Sequence, residues 1–147
     1  MTRELVRILF LCVHNSCRSQ MAEGWAKKLK PRALETYSAG ISPSGITPMT
    51  VQVMAEVGVD ISGQRSKHVN ELKGLAFDYA ITLCDWESEA CPYLPGVEMI
   101  HHGFDDPPAL AARTKTEEEA LAIYRRVRDE IRDFVAGLPE SLESMPR

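Results

Sequence analysis

Between Val6 and Leu11 the chain reads VRILFL, a nearly unbroken run of branched and aromatic residues that suits a strand buried on both faces. Polar HNSCRSQ follows, and then Met21, Ala22, Trp25 and Leu29 recur at helical spacing until Pro31 stops the pattern. Glu35 to Ala39 reads as a second strand. Thr47 and Pro48 supply a cap and a first helical position, with Val53, Met54 and Val57 on the inner face before Gly58. Phe77 to Leu83 and Val97 to His101 give two more strands. Thr116 and Glu119 form a capping box for a long final helix whose apolar stripe is Leu121, Tyr124, Val127, Ile131 and Val135. Strands alternating with helices predict a doubly wound α/β fold in three layers: a four-stranded parallel sheet with helices on both faces. Functional residues are expected at the strands' carboxyl ends.

Composition narrows the class. With 147 residues, 44% of them apolar, the chain suffices for one domain and one core. That domain is expected over 1–139, with a loose tail over 140–147 after Pro139. The formal charge of -4 leaves no basic footprint for nucleic acid, and the basic residues are dispersed or paired with acids, as in RRVRDEIRDF. The apolar run Ile8 to Val13 is too short to cross a membrane and lacks a small-residue cleavage site. A cytoplasmic, monomeric protein without membrane attachment is expected. Four cysteines in a reducing compartment argue for catalysis, redox cycling or metal binding more than for a permanent disulfide framework.

The chemistry concentrates in CVHNSCRS, where Cys12 and Arg18 bracket a loop between the first strand and the first helix. The loop's amides, from Val13, His14, Asn15, Ser16, Cys17 and Arg18, converge with the unpaired N–H groups of the first helical turn on one point. The helix dipole favours negative charge at that point. A tetrahedral oxyanion fits there. The same field, with the nearby arginine, should draw the proton from Cys12 and leave it mostly thiolate at neutral pH. Arg18 offers a planar fork for two oxygens, which a lysine would not reproduce, and Ser19 can donate its hydroxyl to the thiolate.

These residues carry a resemblance. CVHNSCRS is similar to the phosphate loop of the low-molecular-weight tyrosine phosphatase superfamily, with its cysteine, five residues, arginine and serine. Within that superfamily the chain resembles the thioredoxin-coupled arsenate reductases through SQMAEGW, YSAG, GVDISGQRS, LCDWESEACP, HHGFDDPP and RRVRDEIRDF, fragments that together span most of its length.

The resemblance implies a sequence of thiol displacements that reduces arsenate to arsenite, as in arsenical resistance. Cys12 would attack arsenate held by the loop and Arg18, and Asp106, the aspartate directly before proline, would protonate the departing oxygen. Its neighbour Asp105 would raise the proton affinity of Asp106. Cys84 would attack Cys12, and Cys91 would then carry the disulfide outward to thioredoxin, the implied reductant. Spacing alone leaves Cys84 and Cys91 open between this role and a core cysteine beside an incidental surface thiol. Were the intervening DWESEA helical, their Cα atoms would stand roughly 10 Å apart, beyond the roughly 7 Å limit for a disulfide. Bonding them would therefore require unwinding, which the acidic composition and the Pro92 and Pro95 breakers make cheap.

Several positions depart from the family pattern. His14 stands where glycine is usual, and His102 where tryptophan is common. Some relatives bind potassium behind the loop through residues matching Asn15, Glu23 and Ser38 plus an aspartate, but Lys67 holds that last position here. Its ammonium is a substitute cation, Asn15, Glu23 and Ser38 then brace the loop, and potassium dependence is left open. No tightly bound cofactor or metal is expected; phosphate or sulfate should also enter the oxyanion site. Cys17 reads as a spectator or a protective thiol. The alternative is a low-molecular-weight protein tyrosine phosphatase using Cys12, Arg18 and Asp106 through a phosphocysteine, and weak phosphatase activity is expected in either case. A zinc module is disfavoured because no two cysteines show the close pairing of a zinc ribbon.

Overall fold

A computed structural model of the chain describes residues 5–85 and 92–145; Cys91 lies outside them. Strands β1 (Val6–Leu11), β2 (Leu34–Ala39), β3 (Tyr79–Thr82) and β4 (Glu98–His101) form one sheet in the order β2-β1-β3-β4. Every pairing is parallel, so the four carboxyl ends gather on one edge. The helices are α1 (Arg18–Leu29), α2 (Pro48–Glu56), α3 (Pro107–Ala111) and α4 (Glu117–Ala136). Among the described residues no helix is long and apolar enough to cross a membrane.

Alternation along β1 divides the core. Ile8 and Phe10 join the larger cluster with Met21, Trp25, Val53, Val127 and Ile131 from α1, α2 and α4. Leu9 and Leu11 point the other way and pack with Ala39 and Ala80 beneath Val69, Leu72, Phe77, Leu94 and Val97, where a 3-10 helix (Val69–Leu72) lies. All four β1 side chains from Ile8 to Leu11 are fully buried, as expected of a central strand covered on both faces. Each contributes about 1.5–3 kcal/mol of burial.

Helix α4 follows its predicted pattern. Glu119 N–H donates to Thr116 Oγ1 at 3.1 Å, and Leu121, Tyr124, Val127, Ile131 and Val135 are all buried. Buried bonds stitch it to the other helices, among them Trp25 Nε1 of α1, which donates to the Arg128 carbonyl at 3.1 Å, and Arg128 Nη1, which donates to the Val53 carbonyl of α2 at 3.0 Å.

The structure corrects the sequence reading in four places. From Glu140 to Met145 the tail is not loose: a 3-10 helix spans Glu140–Ser144 and Leu142 is buried in the main cluster. Leu138 and Leu142, four residues apart, carry the apolar side that holds it. Strand β3 is shorter than Phe77 to Leu83, because the Asp78 carboxylate accepts the Arg7 N–H at 2.8 Å where a ladder bond would lie. Leu29, which continues the apolar spacing of α1, is 40% exposed in the helix's last turn. Thr47 occupies the cap position of α2, yet its side chain makes no capping bond.

Candidate active site

Cys12 to Cys17 connect β1 to α1 at the carboxyl edge of the sheet. The loop is held from outside by its carbonyls. Ile41 N–H and Ser42 N–H donate to Val13 O at 3.0 and 2.9 Å, Ser44 N–H to His14 O at 3.2 Å, and Thr47 N–H to Ser16 O at 3.1 Å. Ser66 Oγ adds a bond to His14 O at 3.1 Å. In a trans peptide the carbonyl and the following N–H point in opposite directions. Anchoring these oxygens outward therefore turns the N–H groups of His14, Asn15 and Cys17 inward, which makes a nest for an anion.

Two backbone positions make the loop possible. Asn15 has φ 49, a left-handed conformation that asparagine tolerates better than most residues. Its side chain is fixed on three sides: Oδ1 accepts from Gln20 Nε2 at 2.8 Å and from Lys67 N–H at 2.9 Å, and Nδ2 donates to Ser19 Oγ at 2.7 Å. Gly40, at the end of β2, lies so close behind the loop that a Cβ would come within 2.5 Å of Val13 O and 2.7 Å of Cys12 O.

The expected chemical groups meet here. Cys12 is 2% exposed and its Sγ is 3.0 Å from Ser19 Oγ. Arg18, 3% exposed, sends Nη1 to the Phe104 carbonyl at 3.2 Å and the Leu83 carbonyl at 3.4 Å. Its Nη2 stands 3.6 Å from Asp106 Oδ1. A cavity of about 140 Å³ is lined by Cys12, His14, Arg18, Thr47 and Asp106, among others. A larger cavity of about 370 Å³ lies on the other face of the sheet, lined mainly by apolar residues such as Leu9, Leu72 and Phe77, and contains none of these groups.

Asp105, expected to modulate Asp106, pairs its carboxylate with Arg126 Nη2 at 2.9 Å. Cys17 is buried in the cavity wall, and burial pushes its thiol up to about 12. It is therefore a neutral thiol at physiological pH. Cys84 is fully buried two residues beyond the end of β3. The loop between β4 and α3 passes over it, since a Cβ on Gly103 would lie 2.8 Å from Cys84 O. Leu83, its predecessor, accepts both the Phe104 N–H at 3.1 Å and Arg18. Cys84, Arg18 and the loop between β4 and α3 are thus parts of one bonded edge. Cys91 lies outside the described residues.

Behind the loop, Glu23 Oε1 accepts from Ser38 Oγ at 2.6 Å, and Lys27 binds the other oxygen. Lys67 Nζ donates to the Arg65 carbonyl at 3.0 Å. Burial pulls the Lys67 ammonium below its usual range, against the opposing field of Glu23. No three potential metal-binding His, Cys, Asp or Glu side chains gather among the described residues. His14, in the glycine position, has an ordinary negative φ and bonds Ser42 O through Nδ1 at 3.1 Å. The sequence reading missed Ser44, Thr47 and Pro108 as cavity walls. Thr47 carried a visible signal, its place before Pro48, but that signal read as a helix cap.

Comparison with known proteins agrees with this geometry. The arsenate reductase of Bacillus subtilis (strain 168) is 48% identical over 125 residues, 84% of this chain and 88% of the relative. A solved arsenate reductase in the phosphate binding state aligns with TM-score 0.71 and 29% identity, over 97% of this chain and 100% of that one. A thioredoxin-dependent arsenate reductase of Corynebacterium glutamicum aligns with TM-score 0.70 and 25% identity, over 98% of this chain and 65% of that one. With residues 7–145 matching it, the chain belongs to the low molecular weight phosphotyrosine protein phosphatase family.

Proposed function

We propose that this protein is an arsenate reductase that works through Cys12, Cys84 and Cys91 and is regenerated by thioredoxin in the cytoplasm. One observation carries the reading: Cys12, Arg18 and Asp106 meet on a single small cavity, and the loop carbonyls of Val13, His14 and Ser16 are anchored away from it. The arsenate reductases among its relatives support the choice of substrate.

The family resemblance and the placement of Cys12, Arg18, Ser19 and Asp106 support the following steps. Ser19 Oγ accepts from Asn15 Nδ2, so its own proton is directed to Cys12 Sγ. Cys12 attacks arsenic; an S–As bond forms, an As–O bond breaks, and Asp106 delivers the proton with which that oxygen leaves as water. Loop amides and Arg18 balance the oxyanion charge. Cys84 then attacks Cys12 Sγ. An S–S bond forms, the S–As pair passes to arsenic, and As(V) departs as arsenite, As(III). Cys91 displaces Cys12 from Cys84, and thioredoxin reduces the resulting Cys84–Cys91 disulfide by two electrons. The chain acts as a monomer, and phosphate or sulfate competes for the same loop.

The family match favours a second reading, a phosphatase in which water hydrolyses a phosphocysteine at Cys12. NADPH consumption with thioredoxin and thioredoxin reductase, started by arsenate, separates the two. Sustained turnover that disappears in Cys91→Ser supports the relay. Hydrolysis of an aryl phosphate without arsenate turnover supports the phosphatase.

A further inference from the structure

His102, directly after β4, is an exposed residue, yet its ring leans on two phenylalanines. Its centroid is 4.8 Å from that of Phe104 and 4.3 Å from that of Phe134, at interplanar angles of 31° and 37°. Phe104 and Phe134 meet each other edge to face at 5.8 Å, so the three rings close a triangle. Two of its corners belong to the loop between β4 and α3, and the third stands on α4.

The triangle adjoins the peptide that ties this loop to the site. Phe104 N–H donates to the Leu83 carbonyl at 3.1 Å, and the Phe104 carbonyl accepts from Arg18 Nη1 at 3.2 Å. Two residues on, Asp106 Oδ1 stands 3.6 Å from Nη2 of the same guanidinium. The place of Phe104 therefore sets the backbone from which the Asp106 carboxyl reaches the cavity. Asp105, between them, is also tethered to α4 through Arg126 at 2.9 Å, but both partners of that pair are about half-exposed and such pairs hold weakly. Phe104 is only 8% exposed, and its ring contacts are not screened by salt. The rings are the stronger tie.

We infer that His102 and Phe134 clamp Phe104 and thereby position Asp106 beside Arg18 at the oxyanion cavity. The inference rests on the proposed role of Asp106 as proton donor and adds the residues that hold it in place. Neither His102 nor Phe134 is among the residues that line the cavity; both are positioning residues that act through Phe104.

The test compares kcat/KM for arsenate, with thioredoxin and thioredoxin reductase, in the wild type, His102→Ala, His102→Phe, Asp106→Asn and the double variant His102→Ala/Asp106→Asn. Phosphate titration and melting temperatures run alongside. The clamp predicts a loss of about ten- to 100-fold in His102→Ala, the scale for a slightly misplaced reacting group. His102→Phe keeps a ring, drops both nitrogens and should stay within about threefold of wild type. Asp106→Asn should lose about 100-fold or more. Adding His102→Ala to it should cost less than about twofold further, because the clamp works only through that carboxyl. Phosphate affinity should hold, since Arg18 keeps its bond to the Leu83 carbonyl. His102→Ala with wild-type kcat/KM, a loss of the same factor in both backgrounds, or His102→Phe as impaired as His102→Ala would overturn the clamp alone. Asp106→Asn as active as wild type, or wild-type protein without arsenate turnover, would overturn the proposed chemistry and the clamp together.

Discussion

Ser19 Oγ stands 3.0 Å from Cys12 Sγ while accepting the Asn15 amide at 2.7 Å, so the serine has its single proton free for the sulfur. Ser19→Ala removes that donor from a buried nucleophile. Alkylation of Cys12 by a small thiol reagent at pH 7 should slow by about three- to tenfold, the effect of one charge-assisted hydrogen bond. Mass spectrometry of the labelled Cys12 peptide reads the rate. An unchanged rate would mean that the Ser19 hydroxyl does not set the reactivity of Cys12.

Arg18 is committed twice: one nitrogen is tied to the Phe104 and Leu83 carbonyls, and the other faces Asp106. Arg18→Lys supplies charge without the fork. Arsenate-dependent kcat/KM should fall by about 100-fold, the scale for losing one preorganised oxyanion donor. A near-normal value would show that charge alone suffices.

His101 provides a pH signature of folding. Its Nδ1 meets Thr82 Oγ1 at 2.8 Å, and burial, then the neighbouring His102, pull the imidazole below its usual 6.5. The unfolded chain thus binds this proton more readily than the folded one, and stability should drop as pH falls below about 6.5 through the lowered folded value. His101→Asn keeps a polar partner for Thr82 but does not titrate. Urea midpoints at pH 7.5 and 5.5 should differ less in the variant than in the wild type. Equal differences would remove His101 from the acid response.

Cys12, Arg18 and Ser19 were legible in the sequence because their relation is local: a strand, a turn and a helix start fix them within eight residues. Asp106 and Cys84 required the family resemblance, since their closeness depends on the strand order, which no single segment carries. The tail was misread because Pro139 looks like a terminator, although Leu138 and Leu142 held the helical spacing that buries it.

Lys67 offers the sharpest contrast with potassium-binding relatives. Its ammonium lies behind the phosphate loop on the Arg65 carbonyl and within the field of Glu23, while its N–H holds Asn15. Lys67→Ala keeps that N–H and removes the tethered cation, leaving the buried Glu23 carboxylate with Lys27 and Ser38. A loop lacking this counter-charge should bind phosphate about three- to tenfold more weakly. Potassium chloride, but not the same concentration of choline chloride, should recover part of that loss, whereas the wild-type protein should not distinguish the two salts. Calorimetric titration with phosphate in each salt makes the comparison. A potassium effect on the wild type would show that Lys67 leaves room for the ion, and a Lys67→Ala variant indifferent to both salts would show that the loop is braced without a cation.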